Sequence, residues 1–119
     1  MTIGSDFPAC SAPLDRCSPL FNMERTITRK SVGQPDSVIF GSEDKRLSVA
    51  QAIKSHALDA AYQVRSEHKV GSIEVGKLAD IVVLSENLFE IEPSDIYKKT
   101  AVLLTMVDGR VVYDKSDKK

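Results

Sequence analysis

Residues 70–80 read VGSIEVGKLAD, with Gly71, four residues, then Gly76 and Lys77. That is the opening spacing of a phosphate-cradling loop. Such a loop follows a strand and opens a helix, so that helix-terminal amides face the phosphates, and a Ser or Thr after the lysine holds magnesium. Here Leu78 occupies the hydroxyl position, and the run Ile81-Val82-Val83-Leu84 that follows has the character of a strand. No nucleotide is expected. In the plainer reading Gly71 and Gly76 supply turns, Ile73 and Val75 alternate as a short strand, and Leu78 anchors the next one. Lys77 and Asp80 then lie at the surface, paired across the turn.

Other residues able to do chemistry are few. Asp6, in IGSDFP, follows a strand-like TIGS segment and precedes Pro8. By turn preference alone such an aspartate is a turn former. His56 falls on an apolar helical face, where a hydrogen-bonded histidine is the simple reading, because a zinc ligand needs two or three further protein ligands. His68, in SEHK, reads as exposed. Cys10 and Cys17 flank SAPLDR; the pair could close a disulfide in an oxidising compartment or supply half of a metal site. With no second cysteine pair in the sequence, free thiols are the expected state.

These residues must be carried by elements that the sequence marks clearly. Ser18 before Pro19 starts a helix through about Arg29, with serine capping the free amides and Leu20, Met23 and Ile27 on one face. Residues 30–46, broken by Gly33, Pro35 and Gly41, read as loop. Ser48 with Gln51 forms a capping box, and Val49, Ala52, Ile53, His56, Ala57, Ala60 and Val64 continue one helical face from it. EPSDIY reads as a single helical turn. Asp108-Gly109 between two β-prone runs, Ala101 to Val107 and Arg110 to Tyr113, is a hairpin signal.

Composition narrows the function classes. Sixteen basic and 17 acidic residues give a net charge of -1, without the basic stripe of a nucleic-acid binder. The apolar runs are too short to span a bilayer, and no basic segment leads into an apolar one at the N-terminus. A cytoplasmic soluble protein with neither nucleic-acid nor membrane partner is expected. At 119 residues the chain suits one modest domain and is short for a complete catalytic barrel.

Three separated motifs then support a resemblance. IGSDFP at 3–8, RLSVAQAIKSHALDAAY at 46–62, and VGSIEVGKLADIVVLS with the later MVDGRVVYD occur in the order found at the C-terminal end of metal-dependent amidohydrolases. The chain looks most like the subfamily of N-substituted formamide deformylase and the exoenzyme-regulatory proteins. The resemblance implies that GSD ends the last strand of a (β/α)8 barrel, with Asp6 at its C-terminal mouth, where active sites of that fold lie. It implies that Asp6 contacts a divalent metal, zinc for preference, and helps take a proton from the attacking water. Family members bind their metals chiefly through an H-x-H pair, which this sequence lacks, so no tightly bound metal and no activity are expected of the chain alone.

The expected architecture is an α+β (α/β) fragment with two main helices on a small mixed sheet. Residues 1–65 would be the remnant of the barrel C-terminus and residues 66–119 the C-terminal strands of a composite β-sandwich, together one compact unit. The expected partners are the N-terminal barrel and sandwich segments, or a second copy of the chain. A self-associating interaction module and a complementing subunit of a split enzyme are the rival readings. Ile81 to Leu84 and Ala101 to Val107 are apolar on both alternating faces, which implies that one face of the sheet has lost its cover.

Overall fold

The computed structural model describes residues 1–4 and 17–117. Helix α1 spans Pro19–Thr28, with proline at its first position as the sequence implies, although the Ser18 side chain makes no capping bond. Its end is unusual. Arg29 takes a left-handed conformation (φ 57°), a strained region for a side chain with a Cβ. Reciprocal bonds hold it there: Phe40 N–H donates to the Arg29 carbonyl at 2.7 Å, and Arg29 Nε–H donates to the Phe40 carbonyl at 2.8 Å. The 30–40 loop is therefore stapled shut at its base.

The capping box forms as written. Gln51 N–H donates to Ser48 Oγ and Ser48 N–H to Gln51 Oε1, starting helix α2 (Val49–His56). The single long helix expected from Ser48 to Val64 is broken, however. Ala57 (φ -115°, ψ -89°) separates α2 from α3 (Leu58–Gln63). Two side chains at the break bond backward to helix carbonyls, Ser55 Oγ to Gln51 O and His56 Nδ1 to Ala52 O. Such back-bonding competes with the helix's own amides and bends it.

Strand β1 (Ile81–Leu84) leads to a 3-10 turn at Pro93–Asp95 and helix α4 (Ile96–Lys99), the helical turn expected of EPSDIY. Strands β2 (Val102–Val107) and β3 (Arg110–Asp114) follow. The sheet order is β1-β2-β3, and both pairs are antiparallel. The mixed sheet expected from the sequence is thus corrected: a mixed sheet needs a parallel neighbour, and neither pairing of the three strands is parallel. Asp108 and Gly109 both have positive φ (50° and 74°), the signature of the type I′ turn whose twist matches a two-residue hairpin. The short strand expected at Ile73–Val75 does not form either; Ile73 and Val75 are 85% and 108% exposed and pair with none of the described strands.

The core explains the rest of the architecture. Met23 and Ile27 of α1, Ala52 of α2, Ile96 of α4, and Leu88 from the segment between β1 and Pro93 form its buried centre, with Leu20, Val49, Ile53, Leu84 and Ile91 packed around them. Leu84 is the strand residue in that group. The helices pack on one another and on the 93–99 segment rather than on the sheet, so the expectation of two helices laid on a sheet is also corrected. Neighbouring side chains along a strand point to opposite faces. Val82 and Val83 in β1, and Val111 and Val112 in β3, are all exposed. The edge strands therefore present bare valines, Val82 and Val83 on opposite faces of β1, while Leu84 reaches the helical core and most of β2 is half-buried.

Candidate functional site

Asp6 lies outside the described residues, as does Cys10. Its N-terminal approach can be placed. The Met1 ammonium donates to Asp59 Oδ2 at 3.0 Å, and Thr2 Oγ1–H donates to Gln63 Oε1 at 2.6 Å. Lys54 Nζ sits 3.1 Å from the other Asp59 oxygen. Hydrogen bonds from the N-terminus and Lys54 hold the Asp59 carboxyl below the usual carboxylate range. Residues leading to Asp6 are thus tied to α3. The strand expected at 2–5 is not formed over Thr2 to Gly4; a barrel strand is held by ladders to its neighbours, and none of the described strands pairs with it.

His56 is bound as expected of a structural histidine. Its Nδ1 lies 2.9 Å from the Ala52 carbonyl, which can only accept, so Nδ1 carries the hydrogen and Nε2 is left without one in the neutral ring. Nε2 is buried, and among the described residues it has no hydrogen-bond partner. His68 is exposed. Among the described residues, no group of three or more His, Cys, Asp or Glu could hold a metal ion. The described donors alone do not make up the three or four protein ligands of a zinc site.

The glycine-lysine loop is bonded within itself. Lys77 Nζ donates to Ser72 Oγ and lies 3.1 Å from Glu74 Oε1, and bonds from Ser72 and Lys77 lower the Glu74 pKa. Lys77 does not pair with Asp80. Instead Asp80 Oδ1 accepts the Asp108 backbone N–H at 2.8 Å, and Gly109 N–H donates to the Ala79 carbonyl at 3.1 Å. The KLAD segment is a clamp on the tip of the β2-β3 hairpin.

One ionisable residue escaped the sequence reading. Glu24 is 2% exposed, and its Oε2 accepts the Tyr97 backbone N–H at 2.8 Å. The signal was present: Leu20, Met23, Glu24 and Ile27 stand at i, i+3, i+4 and i+7, so Glu24 fills an apolar position of the helix stripe. Burial raises its pKa, bonds from the Tyr97 and Gly33 amides lower it less, and Asp95 adds repulsion.

Comparison with known proteins completes the picture. The sequence profile described as "Amidohydrolase family" matches residues 1–113. YtcJ of Bacillus subtilis (strain 168), whose name places it among amidohydrolases, is 30% identical over 105 residues, covering 88% of this chain and 20% of that protein. Protein LONG AFTER FAR-RED 3 of Arabidopsis thaliana is 31% identical over 113 residues, 95% of this chain and 18% of its own. Imidazolonepropionase of Symbiobacterium thermophilum is 30% identical over 91 residues, 69% of this chain and 21% of its own. This chain spans about a fifth of the length of these curated relatives. No solved structure matches it. Among the described residues no helix is long and apolar enough to cross a membrane.

Proposed function

The chain belongs to the amidohydrolase family, and from that premise we propose that it is the C-terminal portion of a longer metal-dependent hydrolase acting on non-peptide C–N bonds. The sharper likeness of its motifs is to N-substituted formamide deformylases. The parent chemistry is attack by a metal-activated water, with Asp6 the one residue of this chain carried over as metal contact and proton acceptor. The described residues do not assemble the metal site, so no step of that reaction is assigned to them. Alone, the chain is proposed to be inactive.

The carrying observation is the sheet. Val82 and Val112 are 55% and 60% exposed, and Val83 and Val111 are 43% and 52% exposed. Val82 and Val83 are adjacent in regular register and address opposite faces, so each face of β1 presents a valine to water. An antiparallel sheet that stands alone keeps at least one polar face; edge strands that expose valines on both faces of β1 support a missing neighbour. In the proposed full protein the covering segments come from the N-terminal part of the same polypeptide. Genomic sequence upstream of Met1 tests this. An in-frame extension encoding an H-x-H pair is expected, and stop codons in that frame directly before Met1 would overturn it.

The same valines favour a second reading, in which the chain is an interaction module whose sheet is covered by a second copy or by a separate chain carrying the H-x-H pair. Exposed apolar surface of this kind marks interfaces. The readings divide on the upstream frame and on mass in solution.

A further inference from the structure

Glu24 combines three features that rarely coincide: a carboxyl group 2% exposed, a backbone amide 73 residues away bound to it at 2.8 Å, and no cationic partner among the salt bridges of the described residues. One side chain thus ties α1 to the first turn of α4. A buried carboxylate without a cation carries a desolvation cost that a neutral amide offsets only in part.

Among the described residues, the charged groups around it do not supply a cation. On α1 itself Arg25 is exposed. From the 29–40 loop, Arg29 and Lys30 are committed to the Phe40 and Pro35 carbonyls, and Asp36 is exposed. From α2, Lys54 pairs with Asp59 and His56 bonds its own helix. From the 93–99 segment, Asp95 acts on Glu24 as a like charge, Lys99 is bound to Asp95 at 2.7 Å, and Lys98 is exposed.

We propose that Glu24 is a proton-operated clasp, which joins α1 and α4 most tightly when its carboxyl group is protonated and slackens when it ionises. The direction follows from linkage. A carboxyl group that binds its proton more strongly folded than unfolded contributes stability at low pH, and that contribution is lost as pH rises above its ordinary value of 4.5 and through the folded value.

Carbon-13 titration of the Glu24 carboxyl in the 119-residue chain, with amide hydrogen exchange at Tyr97 between pH 4.5 and 7.5, tests the clasp. The titration midpoint is expected above 4.5. Tyr97 protection, corrected for intrinsic exchange, is expected to fall about tenfold for each pH unit by which the midpoint exceeds that value. In Glu24→Gln, which keeps an acceptor for the amide but cannot ionise, Tyr97 protection should not change with pH. A midpoint at or below 4.5, unchanged Tyr97 protection in the wild type, or an equal fall in the glutamine variant overturns the proposal. If the variant does not fold, the wild-type titration decides alone.

Discussion

The Asp80 carboxylate accepts the backbone N–H of Asp108 at 2.8 Å across 28 residues of chain. It joins the start of β1 to the type I′ turn between β2 and β3, and the neighbouring Gly109 to Ala79 bond repeats the link through main chain alone. The two bonds hold the outer strands in register from the hairpin end. Replacing Asp80 by alanine leaves one turn amide without its acceptor, a loss of about 1–2 kcal/mol. Asp80→Asn keeps an oxygen in place and should lose less than half as much. Urea unfolding followed by circular dichroism measures both; equal losses would show that the hydrogen bond is not what Asp80 supplies.

Gly71 is needed twice over. Its φ of +92° is left-handed, and a Cβ there would lie 2.7 Å from the Ala61 Cβ and 3.1 Å from the Ala57 carbonyl oxygen. Neither neighbour is the end of a flexible side chain. Gly71→Ala should therefore cost about 2–4 kcal/mol, combining backbone strain with overpacking. Gly33 shares the left-handed φ, at +79°, but faces open space, so Gly33→Ala should cost only the conformational part, about 1 kcal/mol. Thermal melts of the two variants must rank Gly71→Ala as the more damaging, and the reverse order would contradict this packing account.

Much of this was legible in the sequence where a local rule decides the outcome. The Ser48/Gln51 box, proline at the start of α1 and the Asp108-Gly109 turn are set by bonds between residues a few positions apart, and each formed as read. Failures arose where distant partners decide. Ile73 and Val75 alternate like a strand yet pair with none of the described strands, and the helix break at Ala57 depends on Ser55 and His56 bonding backward. Asp80 could not be matched to Asp108 because an amide 28 residues away leaves no mark in local spacing. Asp6 lies outside the described residues, so its role rests on motif resemblance.

The two kinds of apolar residue should answer differently to substitution. Ile96 is 0% exposed at the centre of the helical core, and Ile96→Ala should cost about 2–5 kcal/mol. Val82 and Val112, bare on the edge strands, should each accept lysine for about 0.5 kcal/mol or less. Chemical denaturation gives both numbers. A loss of several kcal/mol at Val82 or Val112 would mean that the sheet is covered within the chain itself.

The same valines predict behaviour in solution. Size-exclusion chromatography with light scattering should find the mass of the wild-type chain rising with concentration, and the double variant Val82→Lys, Val112→Lys shifted toward the monomer. A wild-type chain that stays monomeric at all concentrations contradicts a self-covering sheet and leaves cover by another polypeptide segment as the reading.

Elemental analysis of the purified chain, paired with an assay of acylated-amine hydrolysis, tests the central claim most directly. An amidohydrolase portion lacking the histidine pair should carry zinc far below one ion per chain and show no turnover. Both should appear when a segment bearing the H-x-H pair is co-expressed with it. Stoichiometric zinc and turnover from the 119-residue chain alone would contradict the account and place a complete metal centre within these residues.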